Sequence, residues 1–152
     1  METTNNLTEE TIEMLNRLIE ANIDSCEGYK EAAEDIDNPR LSQLFLRLAN
    51  DRKNNVNQLQ QYVRSNNSAP EDDGTVRGSI HQTWLKFRAA INGGDEEVVL
   101  IEASRGEDHI KDLYEDLLKE NPGSALSSLL HQQYKEIKED YNQIKRLREA
   151  YD

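Results

Sequence analysis

The chain has 152 residues, 36% hydrophobic and 32% charged, with a formal net charge of −12. So acidic a chain repels phosphate backbones, so no nucleic acid is expected as a partner. No apolar run approaches membrane-spanning length, so no membrane is expected either. The lone cysteine, Cys26, cannot close an internal disulfide.

These features set the expectation of one cytoplasmic, all-α domain over residues 1–152. The opening METTNNLTEE has neither a basic stretch nor an apolar core, so no secretory signal is expected. Gly and Pro are few, which favours long uninterrupted helices.

The first helix is predicted over about residues 8–36. Thr8 can cap it, Glu9 and Glu10 suit its positive end, and Leu7 can staple onto Ile12. Its apolar stripe steps by threes and fours through Ile12, Leu15, Ile19, Asn22, Cys26, Tyr29, Ala33 and Ile36. Asp37-Asn38-Pro39 ends it and starts the second helix, with Asn38 as cap and Pro39 at the first helical position. That helix is predicted over about 39–64, with Leu41, Phe45, Leu48, Arg52, Asn55, Leu59 and Tyr62 on one face.

Residues 65–78, SNNSAPEDDGTVRG, read as a loop. A short helix follows at about 79–91. Ser79 and Gln82 form its capping box, and Ile80, Trp84, Phe87 and Ile91 share a face. A third long helix is predicted over about 95–120 and a fourth over about 123–151, separated by the Asn121-Pro122-Gly123 turn. The fourth carries Leu126, Leu130, Gln133, Ile137, Asp140, Ile144, Leu147 and Tyr151 on its stripe.

Short turns make the first and last pairs antiparallel hairpins. The middle connection, with its short helix, is long enough to travel the length of a bundle. One long crossover between two hairpins is the ferritin-like four-helix arrangement. A simple up-down bundle with the short helix as a lid is the alternative.

The stripes carry polar residues near mid-helix: Asn22, Arg52, Asn55, Glu107, Gln133 and Asp140. Glu107 follows Leu100 and Ala103 and precedes Ile110, Tyr114 and Leu117 on one face. A carboxylate there must be paired, metal-bound or protonated. Di-iron bundles use Glu-x-x-His on two helices. Here His81, His109 and His131 are preceded at that spacing by Gly78, Gly106 and Ser128, so the motif is missing.

Arg52, a permanent cation with five donors, can pair with Glu107 and Asp140 instead. The alternative is iron or manganese held by Glu27, Glu107 and Asp140. Tyr29 and Tyr114 are expected in the core with hydroxyls satisfied in this polar layer. Cys26 is expected as a small core residue, Trp84 as the anchor of the short helix, and His81 at the surface.

Five stretches in order, DSCEGYKEAAED, LSQLFLRLANDR, GSIHQTWLKFRAAI, EASRGEDHIKDLYEDLL and QQYKEIKEDYNQIKRLR, resemble a bacterial four-helix-bundle family. That family is catalogued as a domain of unknown function and placed in the ferritin-like superfamily. The resemblance spans about residues 7–148. Its most specific parts are Arg105-Gly106-Glu107-Asp108 and the run from Gly78 through His81 to Trp84. It implies the ferritin-like crossover and lends no activity. Asp24, Glu27, Arg52 and Glu107 match its pattern, whereas Tyr141 and Asn142 stand where it commonly has His-Asp. A non-catalytic bundle, stress-related or partner-binding, without cofactor, is therefore the first expectation. The iron or manganese protein is the second, and self-association into a homo-oligomer is a third. Whether the chain is an enzyme stays open on these residues.

Overall fold

The computed structural model describes residues 7–66, 79–120 and 122–151. Five helices are present and no strand occurs among the described residues: α1 (Glu9–Asp35), α2 (Pro39–Ser65), α3 (Ser79–Gly93), α4 (Glu96–Lys119) and α5 (Ser124–Glu149). Their ends fall within about two residues of the sequence reading, because the caps are local chemistry. Thr8 Oγ1 accepts from the Thr11 amide, Asn38 Oδ1 from Arg40 and Leu41, and Asp95 Oδ1 from Glu97 and Val98. Pro39 opens α2 where its missing N–H costs nothing. Most of the expected 65–78 loop, the capping box on Ser79, the place of Ile80 and Asn121 lie outside what is described. Among the described residues, no helix is long and apolar enough to cross a membrane.

Cross-helix contacts give the directions. Ser42 Oγ donates to the Ala33 carbonyl and Asn55 to Asn22, so α1 and α2 are antiparallel. Asn22 meets Tyr114 while Tyr29 meets Glu107, so α1 and α4 are antiparallel too. Arg47 reaches Gln143 and Gln133 reaches Gln58, which sets α5 antiparallel to α2. Tyr114 to Gln133 ties α4 to α5.

α3 lies on α1 and α4. Its Trp84 is 1% exposed and enters a notch left by two glycines. A β-carbon on Gly28 would sit 3.0 Å from the indole, and one on Gly106 only 2.5 Å from it. Tyr29, Phe45, Trp84 and Phe87 surround the same point, with ring centroids 5.0 to 5.5 Å apart. Trp84 thus anchors α3 through both glycines.

The seating of α3 also corrects two expectations. α1 has neighbours on three sides, so Leu18, Ala21, Ser25, Gly28 and Ala32 are buried beside the expected stripe. Cys26 packs against the core only in part. It lies half-buried in an outward groove between α1 and α2 with Ile23, Leu46 and Val56. His81 is not a plain surface residue either: its Nδ1 lies 3.5 Å from a carboxylate oxygen of the buried Asp24. At the far end, Tyr151 is exposed and bonds Glu96 through its hydroxyl.

The notch gives a direct test. Gly106→Ala is expected to destabilise the fold more than Gly28→Ala in urea unfolding. Overpacking costs about 1–3 kcal/mol, against about 1 kcal/mol gained by replacing a helical glycine. Equal or stabilising effects at both positions would show that the indole can move aside.

Candidate functional site

Arg52 sits one turn after Leu48 and one before Val56 on α2, and is fully buried. Its Nη2 donates to Glu107 Oε1 at 2.8 Å and Oε2 at 2.6 Å, and to Asp140 Oδ2 at 3.2 Å. Its Nε is buried and has no hydrogen-bond partner among the described residues. The Tyr29 hydroxyl donates to Glu107 Oε1 at 2.5 Å. At the outer edge, half-exposed Arg47 reaches Asp140 Oδ1 at 3.4 Å. One cation, two carboxylates and a phenol therefore meet from α1, α2, α4 and α5.

Burial sets the electrostatics. It raises Glu107 above the ordinary 4.5, although Arg52 and the Tyr29 hydrogen bond pull the other way. Burial likewise raises Asp140 against the pull of Arg52. Burial opposes the charge on Arg52, but Glu107, Tyr29 and Asp140 outweigh it, so its proton is held more tightly. Burial, then the charge of Glu107, drives Tyr29 well up. Arg52 stays charged and Tyr29 stays neutral, so the group sets one permanent cation against two carboxylates in a buried place.

The other polar-layer residues form a second cluster, two turns away along α1, α4 and α5 and one turn away along α2. Asn22 Nδ2 donates to the Leu18 carbonyl at 2.9 Å and to the Tyr114 oxygen at 3.2 Å. Tyr114 donates on to Gln133 at 2.6 Å, and Gln133 to Gln58 at 2.9 Å. Asn55 donates to Asn22 Oδ1 at 3.3 Å. The structure thus brings Asn22, Asn55 and Gln133 together, and Arg52, Glu107 and Asp140 together. Arg47 and Gln58 were not legible as members. Each lies off its helix stripe and reaches in with a long side chain.

The residues present do not fit an iron or manganese ion. One nitrogen of Arg52 lies within hydrogen-bonding distance of both Glu107 and Asp140, at the point a bridging cation would need. Glu27 is elsewhere: its side chain is 60% exposed and faces Arg88 of α3. Among the described residues, no three His, Cys, Asp or Glu side chains gather to hold a metal.

A family model described as Domain of unknown function (DUF2383) matches residues 10–120. The chain belongs to this family. The DUF2383 match covers α1 to α4, including Tyr29, Arg52, Trp84, Gly106 and Glu107, and stops before α5 with Gln133 and Asp140. No curated protein matches the chain.

The raised Glu107 predicts a pH dependence with a definite sign. Above 4.5 the unfolded chain loses this proton while the folded chain keeps it until its higher value is passed. Stability contributed by Glu107 is therefore full below that window and falls as pH rises through it. The advantage of the wild type over Glu107→Gln, measured by urea unfolding at stepped pH, is expected to shrink as pH rises. An advantage that grows with pH would mean that Arg52, rather than burial, controls the carboxylate.

Proposed function

We propose that this DUF2383 chain is a non-catalytic, ferritin-like helical bundle that works in the cytoplasm by presenting its surface to a protein partner, in stress response among other settings. The observation that carries the reading is Arg52, whose guanidinium occupies the charge-balancing place between Glu107 and Asp140. In a ferritin-like metal protein that mid-core place belongs to the metal ions. The helix directions support the architecture. α2 and α4 are both antiparallel to α1, so they run the same way. Two helices running the same way on either side of a long connection are what a ferritin-like fold requires, which supports the reading.

A buried ion network of this kind seldom adds net stability, yet removing one member leaves the others uncompensated. Arg52→Ala is expected to cost about 3–5 kcal/mol in urea unfolding. Elemental analysis after anaerobic Fe(II) or Mn(II) loading and desalting is expected to find no stoichiometric metal. About one or two retained ions per chain would overturn the reading in favour of a metal protein. Sedimentation over a concentration series then separates a second copy of the chain from a different partner.

A further inference from the structure

The seam between α1 and α2 opens outward into a groove of about 330 Å³. That volume falls within the range of small-ligand sites, about 300–1,000 Å³. Ile23, Cys26, Leu46, Ala49 and Val56 make its lining mostly apolar. Ala49 and Val56 are buried at its floor, whereas Leu46 is 51% exposed at its rim. From Leu46 to Val56 the groove follows α2 for about 15 Å, at ~1.5 Å per residue. A bilayer core of about 30 Å holds two acyl chains end to end, so one chain needs about half of that. A helix, about 10–12 Å wide, can rest on such a seam without filling it, whereas a single acyl chain lies in it.

The charges along the groove are unbalanced in one direction. Its charged side chains are Glu27, Lys30 and Lys53. Glu27 is answered from outside by Arg88 at 3.6 Å. Among the described residues, neither Lys30 nor Lys53 makes an ion pair. Lys30 stands one turn after Cys26 on α1, and Lys53 one turn after Ala49 on α2. Both charges act on the thiol between them. Burial and then Glu27 raise the Cys26 thiol, while Lys53 and Lys30 pull it down. Burial prevails, so the thiol stays neutral and serves as apolar wall. A chain of net charge −12 thus keeps two unanswered cations beside an apolar groove. A second copy paired through this face would bring two further lysines to it and leave all four unanswered.

We propose that this groove binds the anion of a long-chain fatty acid, with its hydrocarbon chain along Ile23, Cys26, Ala49 and Val56 and its carboxylate paired with the lysine ammonium groups. Chain burial supplies the affinity, and the lysines select the anion. The site lies on the outer face of the α1–α2 hairpin, apart from the Arg52 network. It goes beyond the partner-binding reading and does not depend on it.

Calorimetric titration of the full-length protein with sodium dodecanoate, below its micelle threshold, tests the proposal. Dodecyltrimethylammonium supplies the same chain with the opposite charge. One dodecanoate per chain is expected, with a dissociation constant on the order of 10⁻⁵ M. The cation is expected to bind at least about tenfold more weakly. Lys30→Gln and Lys53→Gln are expected to weaken dodecanoate about two- to fivefold each, the worth of one exposed ion pair. Leu46→Glu, which sets a negative charge on the exposed rim, is expected to weaken it further. Circular dichroism establishes that the three variants are folded. Bound dodecanoate is also expected to slow alkylation of Cys26 by N-ethylmaleimide several-fold, which locates the chain in this groove. Equal binding of anion and cation, unchanged affinity in all three variants, unslowed alkylation or no saturable binding would each overturn the proposal. So would a dimer in sedimentation that Leu46→Glu dissociates without fatty acid, because a second copy would then cover the groove. Retained iron or manganese, which would overturn the reading of Arg52, leaves each of these results unchanged.

Discussion

A charge that cannot be discarded sits at the centre of this molecule. Arg52 has no neutral form within reach, so every element around it must answer its charge or its donors. Glu107 answers from α4 and Asp140 from α5, and Tyr29 orients Glu107 from α1. Four helices are thereby referred to one guanidinium. The apolar contacts supply the gross driving force for burial, but they are tolerant of sliding. The ion network is not, because a displaced partner leaves a charge in a dry interior.

The second polar cluster adds direction to that constraint. Its hydrogen bonds run one way, from Asn22 through Tyr114 and Gln133 to Gln58, starting from a backbone carbonyl that permits only one amide orientation. Carboxamides look symmetric in outline, yet here each is fixed by its predecessor.

Much of this was legible in the sequence, for a physical reason. Arg52, Glu107 and Asp140 each interrupt an apolar stripe in phase, and the period of a helix carries that information directly. The family match over residues 10–120 agrees with the resemblance read from the Arg105-Gly106-Glu107-Asp108 run. What the sequence hid has a common cause. At Cys26 the buried face of α1 shifts to Ser25 and Gly28, so this member of the stripe is left half-buried. Gly28 and Gly106 gave no periodic signal, since a notch is made by side chains that are missing. Arg47 and Gln58 lie off their stripes, where reach rather than phase decides membership. Glu27, the α1 ligand of the metal alternative, lies beside the stripe, and Arg88 on α3 gives it a partner at the surface.

The indole in its double notch has a mechanical side. One turn to either side on α4 stand Glu102, Ala103 and Ile110 instead of a glycine, and on α1 stand Asp24, Ser25 and Ala32. Each brings a β-carbon into the space the ring would need. The groove between α1 and α4 is therefore a detent and not a track. A shift of α3 by one turn along it would set the indole against these β-carbons. The connecting helix α3 is thereby registered against α1 and α4 at the one level where both glycines stand.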